Sequence, residues 1–250
     1  MIVEMSLEDL KSLNRLAVLG RLMAGLIHNV NGPLQTIGID LELMALQSMQ
    51  DGPSNIELAK KIGPRLQRME GEFDAINQLI RTTSVRASTN EEYNHYRTLN
   101  DFIEDEFSFL KANLYFKHVV RKDYDFSSEL PSFSAFSGDI PLGLRWFFHA
   151  LVDELERRKI PEIRVRTLAG DPKIHLLCSA KGGDLSEPFL KGLSLELSAS
   201  QTIRIEKSDL AVTVAVVLLQ QAGVLFSTDT GAGKTLIHLQ IPVPGATEGA

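Results

Sequence analysis

The stretch LGRLMAGLIHNVNGPLQTIGIDL, residues 19–41, decides the fold of the first part of the chain. Read in sevens from Leu16, it places an apolar side chain in one core slot at every repeat, as in a long helix packed against another helix. The first slot holds Leu16, Met23, Val30, Ile37 and Met44. The second slot holds Leu19 and Leu26, and then Pro33 and Asp40. Since neither proline nor aspartate suits an apolar seam, we expect Leu34 and Leu41, one position along, to continue it.

The polar stripe on the opposite side of this helix contains a histidine. It holds Asn14, Arg21, His28, Gln35 and Glu42. A histidine in an apolar stretch is usually a core residue, but the place of His28 in this stripe predicts that its ring faces water. An exposed neutral imidazole has a free ring nitrogen that can act as a nucleophile. Pro33 follows five residues later and, lacking a backbone donor, is expected to loosen or kink the helix past the histidine.

A second helix is predicted directly after the turn Asp51-Gly52-Pro53. Ser54 and Glu57 match a capping box at its start. Its apolar residues are spaced alternately by four and three: Leu58, Ile62, Leu66, Met69, Phe73, Ile76 and Ile80. Two such helices joined by a tight turn form an antiparallel hairpin. Because one hairpin cannot cover two long seams, we expect a homodimer in which two hairpins form a four-helix bundle.

Composition excludes several classes of protein. A chain of 250 residues, 44% hydrophobic and 23% charged, can form one large or two modest cores. The formal net charge of −6 and the lack of a basic run argue against nucleic acid as a partner. No apolar run approaches the roughly 20 residues of a membrane span, and no signal peptide is evident, so we expect a cytoplasmic protein without membrane contact. The single Cys178 excludes an internal disulfide and is expected in a buried strand.

The remainder of the chain reads as an α/β sandwich that follows a polar linker over residues 82–96. Helices are predicted at 99–114, 142–158 and 209–222, and strands at 117–124, 163–168, 174–180, 224–228 and 236–243. Gly233-Lys234-Thr235 is similar to the end of a P-loop, but Thr228 stands where the first glycine is required. We therefore interpret this segment as a hairpin turn.

The segment LGRLMAGLIHNVNGPL resembles the H-box of the dimerisation and histidine-phosphotransfer domain of two-component sensor kinases. His28 stands in the place of the phospho-accepting histidine, and Pro33 in that of the proline which follows it. Such boxes usually carry Glu or Asp after the histidine, as the base for autophosphorylation, and Thr or Asn before the proline, to position water for dephosphorylation. This chain has Asn29 and Gly32 there. The resemblance implies that residues 1–86 keep the nucleophile and lack both other activities, with Asn29 orienting the ring by hydrogen bonding.

Residues 96–250 resemble the ATP-binding catalytic domain of histidine kinases, most clearly in DLAVTVAVVLLQQAGVLFSTDTGAGKTLIHLQIPVP, which has the layout of that domain's final helix and hairpin. The nucleotide motifs are altered. Two Asn residues of the family, the second of which holds magnesium, are replaced by His149 and Asp153. The family's Asp-x-Gly-x-Gly loop, whose Asp reads adenine, falls near CSAKGGD, where Gly182 and Gly183 lack that Asp ahead of them.

The family's Gly-Leu-Gly-Leu aligns with Asp209-Leu210-Ala211-Val212. Glycines there let backbone amides approach the triphosphate, and any Cβ obstructs that approach. Asp209 also puts a negative charge beside a polyanion, which costs on the order of 4 kcal/mol at about 4 Å before screening. We therefore expect that ATP and magnesium binding are lost and that the protein uses no other cofactor or metal. The segment of the family's nucleotide lid, 186–208, is short and is predicted to be partly strand.

The resemblance implies a histidine phosphotransferase of a bacterial phosphorelay. In this interpretation His28 takes a phosphoryl group from the aspartate of one response-regulator receiver domain and passes it to another, as in dimeric phosphotransferases with a degenerate ATPase-like domain. Two alternatives stay open. The chain is a pseudokinase scaffold that binds receiver domains without chemistry, or it is an active sensor kinase core that uses ATP.

Overall fold

The computed structural model describes residues 7–48, 55–87, 96–133, 136, 139–194 and 210–243. The helices of these residues are α1 (Leu7–Ser48), α2 (Asn55–Ala87), α3 (Leu99–Leu110), α4 (Leu114–His118), α5 (Asp139–Arg158), α6 (Glu187–Leu193) and α7 (Leu210–Gln221). The strands are β1 (Arg121–Asp125), β2 (Glu162–Leu168), β3 (Lys173–Lys181), β4 (Leu225–Gly231) and β5 (Lys234–Pro242). The chain divides into two compact units, Leu19–Glu91 and Glu92–Ala250 with Met1–Val18. We call the first the helical unit and the second the α/β unit.

The helical unit consists of α1 from Leu19 onward and of α2, which run antiparallel. Near the end of α1, Asp40 meets Arg65 near the start of α2, and Ile37 packs in one cluster with Met69 and Ile76. The predicted linker at 82–96 is wrong in its first part, because α2 continues to Ala87. Extending an existing helix costs little per residue, and no glycine or proline interrupts residues 82–87.

The seam between α1 and α2 differs from its predicted composition. Ile37 is buried as expected, but Asp40 is buried too and keeps its place in the second core slot. Leu34 and Leu41 are about half exposed, so the expectation that they take over the seam is wrong for the contact between these two helices. The apolar pattern alone missed this because it could not show that α2 supplies positive charges opposite Asp40.

The α/β unit is built on a five-stranded sheet in the order β1-β2-β3-β5-β4. β1 pairs with β2 in parallel, and the other neighbours are antiparallel. Side chains of β2, β3 and β5 alternate between buried and half-buried or exposed positions, so one face of the sheet carries the core. The mixed sheet with its helices has the α/β character expected from the sequence.

Helices α5 and α7 carry most of the opposing apolar surface. They approach closely at Gly143, where an added Cβ would lie 2.6 Å from Leu219 Cγ. The core also contains buried aromatic side chains, namely Phe102, Phe107, Phe116, Phe133, Phe147 and Phe148. Cys178 is buried in β3, as predicted, and burial raises the pKa of its thiol to about 12.

Two predicted elements have different bounds. The helix predicted at 99–114 ends at Leu110, and the strand predicted at 117–124 is replaced in its first part by α4. The side chain of Asn113 accepts a hydrogen bond from the N–H of Phe116 and so caps the new helix. The final hairpin has a two-residue turn in which Ala232 and Gly233 both have positive φ, of 51° and 70°. This is the geometry of a tight hairpin turn, as predicted, and not of a phosphate loop.

Candidate functional site

His28 lies near the middle of α1 and its side chain is exposed to solvent. The exposure expected from the polar stripe is therefore present in the structure. The next residue, Asn29, is half-buried. Gly32, one turn further on, is exposed, and a Cβ added to it would meet no atom within 4 Å. The imidazole of His28 thus stands on a part of the helix that a partner can approach.

An apolar groove lies beside His28 on the helical unit, with a volume of about 410 Å³. It is lined by Met23, Leu26, Ile27, Val30, Leu79 and Ile80, together with Asn31. Ile27 precedes the histidine directly and Asn31 follows it by about one turn, so the groove and the imidazole belong to one surface region. Such a groove can accept an apolar element of another protein.

Pro33 does not end the helix, because α1 runs from Leu7 to Ser48 through it. One turn beyond it, the hydroxyl of Thr36 donates to the carbonyl of Gly32 over 3.2 Å. The loosening expected at the proline is therefore limited to the loss of one backbone donor within a continuous helix.

The helical unit also contains a buried carboxylate paired with two partly exposed arginines, a cluster that we did not predict. The carboxylate of Asp40 has no exposed surface, and it accepts hydrogen bonds from Arg65 Nη1 over 3.0 Å and from Arg68 Nε over 2.6 Å. A further contact joins Arg68 Nη2 to the same carboxylate. The hydrogen bond from Arg68 and the charges of both arginines lower the pKa of Asp40, against the opposing effect of burial. The sequence signal that could have revealed this cluster is an aspartate in a core slot facing a helix with two arginines three residues apart.

In the α/β unit, His149 is one of the two residues at the positions of the family's asparagines. It lies on α5, buried to 3% exposure, and its ring is 5.9 Å from that of Phe109 on α3. Its Nε2 is 3.9 Å from Oε2 of Glu106, and the other carboxylate oxygen of Glu106, Oε1, accepts a hydrogen bond from Arg145 Nε over 2.7 Å. His149 is therefore part of the packing between α3 and α5. Asp153, one turn along, is half-buried.

The glycines of CSAKGGD have a structural task. Both Gly182 and Gly183 donate their backbone N–H groups to the carbonyl of Gly233, over 3.0 and 3.2 Å. Gly182 has φ of 95°, and a Cβ there would lie 2.8 Å from the ring of Pro161. These amides therefore hold the loop against the turn between β4 and β5.

The segment where the family has its nucleotide lid begins with a helix and not with a strand. Its described part forms α6, so the strand expected there is wrong for these residues. Glu154 of α5 accepts a hydrogen bond from the N–H of Ser186, at the start of α6, over 2.7 Å. A Cβ on Gly192 would lie 2.7 Å from Val212. These contacts hold α6 against α5 and α7, and they were not foreseen because they join residues far apart in the sequence.

The structure describes only part of the segment aligned with Gly-Leu-Gly-Leu. Asp209 lies outside the described residues, while Ala211 is in the first turn of α7 and packs against the core. Within the described residues no group of three or more His, Cys, Asp or Glu side chains is placed to hold a metal ion. The same part of the chain has no helix of the length and apolarity that a membrane crossing requires.

No protein-family model matches this chain, and no curated protein matches it. Several solved structures are similar to it. A bacterial phosphotransferase solved at 1.7 Å is 16% identical, with 95% of this chain and 98% of that one covered and a TM-score of 0.46. The histidine kinase AdeS of Acinetobacter baumannii is 11% identical, with 86% and 98% covered and a TM-score of 0.42. The histidine kinase domain of the E. coli osmosensor EnvZ is 13% identical, with 65% and 97% covered and a TM-score of 0.46. Likenesses of this extent do not assign an activity, which has to be argued from the residues of this chain.

Proposed function

We propose that this protein is a histidine phosphotransferase of a two-component phosphorelay and that His28 carries the phosphoryl group between receiver-domain aspartates. The observation that supports this most directly is the exposed imidazole in the middle of α1, beside an apolar groove. A side chain in this position is accessible to the active site of a second protein. The groove offers that protein a place to dock.

The chemistry requires little from the chain beyond a placed nucleophile. A receiver's phospho-aspartate is an acyl phosphate, so the P–O bond to the carboxylate breaks while a P–N bond to a ring nitrogen of His28 forms, and the aspartate leaves as a carboxylate. In-line placement of the imidazole lowers the barrier, and the receiver's own magnesium and lysine neutralise the charge of the phosphoryl group. Because the reverse step uses the same groups, the phosphoryl group can pass on to a second receiver.

Asn29 is proposed to orient the ring of His28 by hydrogen bonding. An amide has no carboxylate that could accept the imidazole proton, so it cannot replace the base of an autophosphorylating kinase. This favours transfer between receivers over phosphorylation from ATP. We propose that the first helix of the receiver docks in the apolar groove, against Ile27 and Leu34 and the facing part of α2.

Loss of ATP binding is the second part of the proposal. Ala211 carries a Cβ at an aligned glycine position and packs against the core, and His149 belongs to the α3–α5 contact. The amides of Gly182 and Gly183 are bonded to Gly233. Each of these groups makes contacts within the α/β unit, which supports the proposal that the domain keeps its fold but does not bind nucleotide.

A homodimer is the third part. Three apolar residues at seven-residue spacing are about half exposed on each helix: Ile27, Leu34 and Leu41 on α1, and Leu66, Phe73 and Ile80 on α2. We call these six residues the outer stripes. A second copy of the helical unit would cover these stripes at the level of Leu41 and Leu66, away from the receiver site at Ile27 and Leu34, and complete a four-helix bundle. We therefore propose residues 1–86 as the dimerisation and phosphotransfer domain and residues 96–250 as the degenerate ATPase-like domain.

The test is phosphate uptake from a purified receiver domain. The protein is incubated with a receiver labelled on its aspartate, and acid-labile, base-stable phosphate is followed on the chain and located by mass spectrometry. Label on His28 supports the proposal. If the protein binds receivers but never takes up phosphate, the scaffold alternative replaces it. If labelled ATP alone phosphorylates His28, the sensor kinase alternative does.

A further inference from the structure

Each helix of the helical unit has two sets of residues that could face the other helix. Each residue of the outer stripes follows a residue of the second core slot in the sequence, but on the helix surface it flanks the first core slot, whose residues lie three or four positions away. On α1 the second slot holds Leu26, Pro33 and Asp40, and on α2 it holds Arg65, Glu72 and Leu79. The outer stripes contain six large apolar side chains, whereas the second slots contain two leucines, a proline and three charged residues. Apolar burial by itself would thus favour the outer stripes as the seam between α1 and α2.

The two outer stripes lie on the same side of the helical unit. Ile27 of α1 and Ile80 of α2 line one groove. In an antiparallel pair the same relation holds at the levels of Leu34 with Phe73 and of Leu41 with Leu66. Because successive residues differ by roughly 100°, each outer stripe lies about 40° from the first core slot and about 70° from the middle of the observed seam. A rotation of about 70° in both helices would therefore bring the outer stripes into the seam without changing the turn.

That rotation would also move His28. Its stripe lies on the side of α1 opposite the observed seam, and the outer stripe lies between the two. Turning the outer stripe inward carries the imidazole toward α2. The observed rotation therefore keeps His28 outward and leaves the outer stripes available to the receiver and to a second copy.

Charged residues in and beside the second slot stabilise the observed rotation of the two helices. Asp40 is buried with Arg65 and Arg68 bonded to it, and Glu72 lies near Arg68 and adds to the favourable charge around that arginine. Buried charges are tolerated only while they are paired, and removing one partner leaves the others at high cost. A single buried polar residue can select one packing among several that are similar in apolar burial.

We propose that Asp40 is a positioning residue, which holds α1 and α2 in the rotation that presents His28 to a partner. The consequence for phosphoryl transfer rests on the proposed function, while the positioning role is independent of it. Without the two arginines, the carboxylate of Asp40, which has no exposed surface, would be unneutralised in the seam. The helices then turn it toward solvent, and the outer stripes take the seam.

Arg65→Leu with Arg68→Leu leaves the buried carboxylate of Asp40 without its partners. The variant Asp40→Leu, Arg65→Leu and Arg68→Leu instead places apolar side chains at all three positions, which keeps the observed rotation without any ion pair. We therefore expect the double variant to turn the helices and the triple variant to resemble the wild type. Asp40→Asn, which keeps an amide in the seam beside two partly exposed arginines, should shift the rotation less and serves in place of the double variant if that protein does not fold.

The rotation is read by disulfide formation within one chain. Ile37→Cys with Met69→Cys reports the observed seam, since these residues pack together. Leu34→Cys with Phe73→Cys reports the outer stripes at nearly the same level. Cys178 interferes little, because burial raises the pKa of its thiol to about 12. Disulfides within a chain are separated by mass from those between copies.

In the wild-type background we expect the 37–69 pair to close faster than the 34–73 pair. Arg65→Leu with Arg68→Leu should shift the ratio of the two rates toward 34–73 by at least about tenfold, because it leaves the buried carboxylate of Asp40 unpaired. Phosphate uptake by His28 should fall with it, and the triple variant should restore both. An unchanged ratio in the folded double variant, or a triple variant that behaves like it, would overturn the positioning role. If the ratios change as expected but even the wild type takes up no phosphate, the proposed function fails and the positioning role stands.

Discussion

The helical unit and the α/β unit distribute polar and apolar side chains in opposite ways. The helical unit exposes six large apolar residues of its outer stripes, and it buries a carboxylate that two partly exposed arginines neutralise. Among the described residues of the α/β unit, most large apolar side chains lie in one core, and groups aligned with the nucleotide site of histidine kinases, such as His149, are packed or bonded within it. The difference teaches that the first unit exposes a continuous apolar surface suited to association, whereas the described part of the second buries most of its apolar surface internally.

The largest expected effect is on phosphate uptake, which should require the histidine of the helical unit and not an exposed histidine of the α/β unit. His28→Ala should abolish phosphate uptake from a receiver, and His28→Gln should do the same, while the free energy of unfolding changes by no more than about 0.5 kcal/mol because the side chain is exposed. His118→Ala, at an exposed histidine of the α/β unit, is the matched control and should leave uptake unchanged. Uptake that survives in His28→Ala would show that another group carries the phosphoryl group.

The next effect concerns association through the outer stripes. Leu41→Asp should weaken the dimer by about 100-fold or more, because each dimer loses two large apolar contacts at roughly 1.5 to 3 kcal/mol each. Ile39→Asp is the matched control on the same helix, since Ile39 is 48% exposed and Leu41 51%, but only Leu41 belongs to an outer stripe. Light scattering at micromolar concentration measures the assembly. Equal losses in both variants, or a wild-type monomer, would contradict the proposed interface.

Acid should destabilise the two units in different pH ranges. In the α/β unit, His238 lies 2.8 Å from His175 between ring nitrogens, and burial and the neighbouring His175 lower the pKa of His238 from 6.5. The folded state thus favours neutral His238, so this stabilisation is complete above pH 6.5 and is lost as the pH falls below it. Asp40 has a pKa lowered from 3.8, so its contribution to the helical unit persists above pH 3.8 and is lost only below that value.

Hydrogen exchange resolved by peptide, recorded from pH 7 to 3, should show the α/β unit opening first. His238→Asn should reduce the pH dependence of the α/β unit near pH 6 and leave the helical unit unchanged. If the helical unit opened first on acidification, the assignment of these two groups would be wrong.

The smallest expected effect is that of nucleotide. Millimolar ATP with magnesium should leave the melting temperature of the α/β unit unchanged within roughly 1 °C, because a ligand far below its dissociation constant contributes almost nothing to stability. Ala211→Gly tests whether the aligned glycine restores binding, and we expect no recovery, since the amides of Gly182 and Gly183 stay bonded to Gly233. A clear rise in the melting temperature of the wild type with ATP would instead support the sensor kinase alternative.

The elements with strong periodicity could be predicted closely from the sequence. The bounds of α5, β2 and β3 agree with their patterns within a few residues. The short α4 was missed, because a five-residue helix has too little periodicity to distinguish it from a strand. The end of α2 was placed too early, because a polar sequence without breakers can continue a helix that is already formed.

What the sequence by itself determined is the exposure of His28, because its place in a polar stripe of a long helix depends only on residues within a few turns of it. Local patterns also predicted the strands, from their alternating side chains, and the hairpin turn that contains Ala232 and Gly233. What only the tertiary structure decided is which apolar stripe of α1 faces α2. That choice depends on Asp40 meeting two arginines that lie 25 and 28 residues further along the chain, and no local pattern contains that contact.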